Sequence, residues 1–122
     1  MAGEEFDGIP VAELPIDEVR WSDDRAKHIR TRTERKGPAE INIEPLWASE
    51  AALDPNRMVR RGSGRESVEV LGYSPSARRV LLVWIYTTEH PPDGTWHGGS
   101  AIVAGRKLRA AYWEGRGDER ED

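Results

Sequence analysis

One stretch constrains the fold more than any other: Val80-Leu81-Leu82-Val83-Trp84-Ile85-Tyr86, an unbroken run of aliphatic, β-branched and aromatic side chains. Such a run reads as a strand buried on both faces at the centre of a sheet. A chain of 122 residues has room for one hydrophobic core, so the remaining elements must be arranged around this strand. Just upstream, residues 67–73 alternate as a half-buried strand does. Ser74-Pro75-Ser76-Ala77 then reads as the hairpin connection between the two. Residues 57–61 form a shorter strand ending at Gly62-Ser63-Gly64, and residues 100–104 the last one, after a loop through His90-Pro91-Pro92-Asp93-Gly94-Thr95.

Helices flank this run of strands. Val19-Arg20-Trp21 reads as a short first strand, and Ser22 or Asp23 offers the N-cap oxygen for a helix reaching Lys36, with Asp24 in its first turn. Gly37-Pro38 ends it. A second helix is expected from Pro38 through Ile41, Leu46, Trp47, Ala51 and Leu53, kinked or split at Pro45. Residues 106–113 form a closing helix with Leu108 and Tyr112 on one face, capped near Gly115. The predicted fold class is therefore α+β: a short first strand, two N-terminal helices, an antiparallel sheet of about four strands, and a C-terminal helix.

The net charge of −4 hides a segregation. Residues 1–18 carry six acids and no Lys or Arg, and residues 116–122 carry four acids against Arg116 and Arg120. Removing both ends from eighteen basic and twenty-two acidic residues leaves sixteen against twelve, so residues 19–115 are about +4. Residues 1–17 and 116–122 are expected to be acidic, disordered tails around a single domain at 18–115. No stretch approaches the roughly 20 apolar residues of a membrane helix. The acidic start lacks the positive end and apolar run of a secretory signal, so a cytoplasmic location is expected. There is no cysteine, hence no thiolate metal site and no thiol nucleophile. The three histidines show no metal-binding spacing, and no phosphate-cradling glycine motif occurs, so no metal and no cofactor are expected.

What remains is arginine beside strands and helices: Arg60, Arg61, Arg65, Arg78, Arg79, Arg106 and Arg109, with Lys107. The planar guanidinium fork holds phosphate bidentately and keeps its charge. Metal-free RNA cleavage needs a base for the 2′-hydroxyl, cations for the phosphorane and an acid for the leaving oxygen. His28, Glu66, His97 and Tyr112 are the candidates for proton transfer. Each has a plainer reading: His28 as a solvated helix residue, Glu66 and Glu69 as outward strand residues, Arg78-Arg79 as a hairpin-edge pair, and Tyr112 and Trp113 as core anchors.

Several stretches are similar to one family. Arg20-Trp21-Ser22-Asp23-Asp24-Arg25-Ala26-Lys27-His28-Ile29 looks like a W-D-x-x-K opening. Residues 65–74 with Arg78-Arg79-Val80-Leu81-Leu82-Val83 look like an E-R…I-G-x-S…G-R-x-L-x-V hairpin, and residues 101–113 match a last strand and closing Arg-rich helix. These motifs resemble the BrnT-type toxins, of RelE-like fold, across about residues 19–115. The pattern departs where that family has K-H-G, here Arg35-Lys36-Gly37, and where it has S-A-R, here Ser100-Ala101-Ile102 with Arg106 arriving later. The resemblance implies a ribosome-independent, metal-independent endoribonuclease toxin that inhibits translation and is neutralised in a hetero-oligomer with a cognate antitoxin. It implies Arg79, Arg106 and Arg109 as phosphate clamps, His28 or Glu66 as proton carriers, and Tyr112 as orienting group or donor. The departures favour an alternative, a non-catalytic RNA- or protein-binding module of the same fold. A third reading has the acidic tails mimic nucleic acid and occupy the basic face of the domain.

Overall fold

The computed structural model describes residues 4–64 and 66–116, the side chain of Arg116 excepted. Two strands, β1 (Glu5–Phe6) and β2 (Ile9–Pro10), form a small hairpin through Asp7 and Gly8, both at positive φ. A short 3-10 turn, Val11–Glu13, follows. Then come β3 (Glu18–Arg20), α1 (Asp23–Arg30), α2 (Arg32–Lys36), α3 (Pro45–Ala52), β4 (Met58–Arg61), β5 (Ser67–Ser74), β6 (Arg79–Tyr86), β7 (Thr95–Val103) and α4 (Arg106–Arg116). The main sheet has the order β3-β7-β6-β5-β4, with β6 at its centre as the Val80–Tyr86 run predicts.

The sheet is mixed, where an antiparallel one of about four strands was expected. β4 to β7 pair antiparallel, but β3 adds to β7 in parallel, Val19 opposite Trp96. A parallel neighbour so far away in sequence leaves no local signature. Ser22 caps α1 as expected, its Oγ accepting from the Arg25 N–H at 3.1 Å. The expected single helix to Lys36 breaks at Thr31, which has a non-helical φ of −121° and whose hydroxyl donates to the Lys27 carbonyl. The second predicted helix is also corrected. It starts at Pro45, in the first helical turn where a missing N–H costs nothing, rather than at Pro38.

Alternation along the strands gives the sheet two faces. Val68, Val70, Leu81, Val83, Ile85, Trp96 and Ala101 lie on one face, under Ile29 of α1 and Ala48, Ala51 and Ala52 of α3. Gly72 lets α3 come this close: a Cβ there would stand 1.9 Å from the Ala51 carbonyl oxygen. The tail expected at residues 1–17 is corrected over 4–17, residues 1–3 lying outside those described. Phe6, Val11, Leu14 and Ile16 are buried in this same core, and Trp96 both packs against Phe6 and donates its indole N–H to the Pro15 carbonyl. These apolar residues follow no helical or strand period, because the surface they fill is tertiary. The tail expected at 116–122 lies, beyond Arg116, outside the described residues. Among the described residues no helix is long and apolar enough to cross a membrane.

On the second face, α4 crosses one half of the sheet. Tyr112, with Leu108 and Trp113 beside it, packs on Leu71, Val80, Leu82 and Ala104. The helix is held by Asp54, buried at the turn before β4, whose carboxylate accepts from the Tyr112 hydroxyl and from the Tyr73 and Asn56 N–H groups. Among the described residues, no helix packs over the other half of this face.

Candidate nucleic-acid interface

The uncovered half of the second face can be read directly from the strand register. One row across the sheet runs Arg20, His97, Tyr86, Ser67; the next runs Ser100, Trp84, Glu69, Arg60. The expectation that β6 is buried on both faces is thus corrected at its C-terminal end, where Trp84 is half-buried and Tyr86 is 39% exposed. α4 has only eleven residues and lies over the other end. Tyr86 and His97 present tilted rings with centroids 5.3 Å apart.

Charged groups at the two sides of this platform are already paired. Arg60 Nε donates to Glu69 Oε1 at 2.6 Å, and Trp84 Nε1 donates to Glu69 Oε2 at 3.1 Å, so the carboxylate fixes both an arginine and the indole plane. On the far strand Arg20 Nε donates to Glu18 Oε2 at 3.0 Å. Both arginines are more than half exposed, so these pairs are weak enough for a competing anion to take the guanidinium. Beside the platform on the same face, between α4 and β4 to β6, lies a cavity of about 240 Å³ with Met58, Leu71, Leu82 and Leu108 in its walls and Arg60 and Glu69 at its polar side.

The residues singled out from sequence do not assemble into one site. Glu66 precedes β5 and Arg79 pairs with Ser74 at its other end, which places them roughly 25 Å apart at about 3.3 Å per residue. Arg79 shares the face of Leu81 and Val83, whereas Arg106 and Arg109 belong to α4 on the opposite face. Arg79 and Arg106 are exposed, and Arg109 Nη1 donates to the Ala104 carbonyl. Tyr112 is fully buried and bonded to Asp54, which makes it an anchor of α4.

His28 sits half-buried on α1, away from the platform, and Arg35 reaches back to its carbonyl. Burial and then the surrounding Arg35, Arg25, Arg32 and Lys36 lower the pKa of its imidazole, disfavouring the charged form. Glu66 instead meets His90: His90 Nε2 lies 3.1 Å from Glu66 Oε2, and Nδ1 lies 2.6 Å from Asp7 Oδ2. The hydrogen bond to Asp7, then that to Glu66, raises the His90 pKa. The ring also stacks on Phe6, with centroids 6.5 Å apart. Among the described residues no three His, Asp or Glu side chains converge on a point that would hold a metal ion.

His97, one of the proton-transfer candidates, does lie on the platform. Trp84 and Tyr86 were hidden in the sequence by the strength of the strand signal around them, whereas Glu69 lies on the outward side where the strand pattern puts it. The available cue was the strand period itself, which puts residues 84 and 86 on one face together with 67 and 69 once the hairpin register is known. Compared with known proteins, the chain matches no protein-family model and no curated protein sequence.

Proposed function

We propose that this chain binds single-stranded RNA on the uncovered half of its sheet, as the RNA-facing toxin of a toxin–antitoxin pair. The observation that carries the reading is the Tyr86–His97 ring pair, with Tyr86 exposed and His97 half-buried beside Trp84, bounded by Arg20 and Arg60. Flat π-faces on an open sheet stack unpaired bases without regard to sequence, and arginines at the margins take the phosphates. A duplex, with its bases stacked inward, offers nothing to such a platform. The charge excess of residues 19–115, with Lys107 and Arg106 exposed on α4, supplies steering toward the backbone.

Fluorescence anisotropy with a labelled single strand tests the reading. Tyr86→Ala is expected to weaken binding by about 1–3 kcal/mol, the value of one base–aromatic stack, and Arg79→Ala, on the other face, to change it little. Loss of binding in Arg79→Ala with Tyr86→Ala unaffected would refute this placement.

Cleavage of the bound strand is the second reading, favoured by His97 and Tyr86 standing together on the platform with Arg20 on the next strand. An imidazole can take the 2′-hydroxyl proton and a phenol can donate one, with the arginine facing the phosphorane. Incubating total RNA with the protein in the presence of EDTA decides it. Cleavage lost in His97→Ala supports a ribonuclease, and intact RNA with retained binding leaves a non-catalytic module. A cognate antitoxin would then act by covering this same face.

A further inference from the structure

The cavity between α4 and the sheet is enclosed by Leu71 and Leu82 below, Leu108 above and Met58 at the open side. At about 240 Å³ it falls below the roughly 300–1,000 Å³ of sites for drug-sized ligands, so it suits a single ring system. Its walls are apolar, and Met58 is 42% exposed and adaptable enough to close over a flat guest. The polar side is the Glu69 carboxylate, 17% exposed. An ionised carboxylate only accepts hydrogen bonds and has about four lone-pair sites, of which Arg60 and Trp84 occupy two. A guest that satisfies the remaining sites must present N–H groups side by side on one edge.

Building on the RNA-binding reading, we propose that this cavity is a base pocket selective for guanine, with Glu69 as the specificity-determining residue. Guanine is the one common RNA base whose Watson–Crick edge carries two adjacent donor groups, N1–H and the 2-amino group. Uracil presents a single N–H flanked by carbonyl oxygens, which the carboxylate repels. Adenine and cytosine each place an acceptor next to their amino group. Arg60, already bound to Glu69, fixes the carboxylate plane and keeps guanidinium N–H groups for the phosphate of the same nucleotide. The strand would thus lie across Trp84, Tyr86 and His97 and drop one base into the cavity at the edge of α4.

The test uses the full chain and short 2′-O-methyl uridine strands, which cannot be cleaved through the 2′-hydroxyl, carrying guanine, inosine or uracil at one central position. Guanine is expected to bind at least about tenfold tighter than uracil, the discrimination of one bidentate base contact, with inosine, lacking the 2-amino group, between them. Glu69→Gln replaces one acceptor oxygen with a donor and should collapse the guanine-to-uracil ratio to near one. Ala111→Leu should do the same by filling the cavity from α4 while leaving Glu69 intact. Equal binding of all three strands to the native protein would overturn the pocket and leave the RNA reading standing. A guanine preference that survives both substitutions would likewise overturn it, and failure of every strand to bind would overturn both.

Discussion

The carboxylate of Asp54 receives hydrogen bonds from Tyr112 in α4, Tyr73 in β5 and the Asn56 N–H, and so joins the C-terminal helix to the sheet through one buried group. A buried carboxylate that loses a donor keeps its desolvation penalty, which makes removal costlier than the bond alone suggests. Tyr112→Phe is therefore expected to destabilise the protein by about 1–3 kcal/mol in urea unfolding. An unchanged midpoint would show that α4 is held by its apolar contacts only. From sequence Tyr112 is equally a proton donor or an anchor. The choice needs the partner, and Asp54, fifty-eight positions away, lies in what reads locally as a turn.

Elements divide by how local their signal is. β5, β6 and α4 are legible because hydrophobic period and hairpin punctuation lie within each segment, and α1 is legible at its start because the Ser22 cap is a local device. The N-terminal segment is not. Its place depends on Trp96 and on a tie formed by His90 between Asp7 of the β1–β2 turn and Glu66 before β5, with Arg61 over the Phe6 ring nearby.

Both nitrogens of His90 face carboxylates, so both bonds need the imidazolium. Its pKa is raised above the ordinary 6.5, hence its stabilisation is fully present below 6.5 and is lost as pH rises through the folded value. The protection of the β1–β2 hairpin amides from hydrogen exchange, taken relative to their intrinsic rates, is expected to fall over that rise in the native chain and not in His90→Gln; identical pH profiles of protection would contradict the tie. Packing of α3 has its own test. Gly72→Ala drives a methyl into the Ala51 carbonyl, a backbone atom that cannot swing aside, and should cost about 1–3 kcal/mol or more by overpacking. A neutral result would mean that α3 moves freely on the sheet.

At the scale of the whole molecule, one face of the sheet is closed by α1, α3 and the N-terminal segment, and the other is partly covered by α4. The candidate residues on the open half come from β3 to β7, segments whose juxtaposition is set by register and by a parallel pairing across more than seventy residues. Arginine abundance and family-like motifs point to phosphate chemistry in the sequence, yet they direct attention to Arg79 and Arg106, which the fold places on opposite faces. The aromatic platform is encoded in a strand whose composition reads as core.

The tryptophan indole N–H signals in an NMR titration with single-stranded RNA address the central claim most directly. Trp84 donates to Glu69 on the open face, whereas Trp21 donates to Ser49 and Trp96 to Pro15 on the closed one. RNA bound as proposed shifts the Trp84 indole signal and leaves those of Trp21 and Trp96 in place. A titration that saturates with Trp84 unmoved would contradict it.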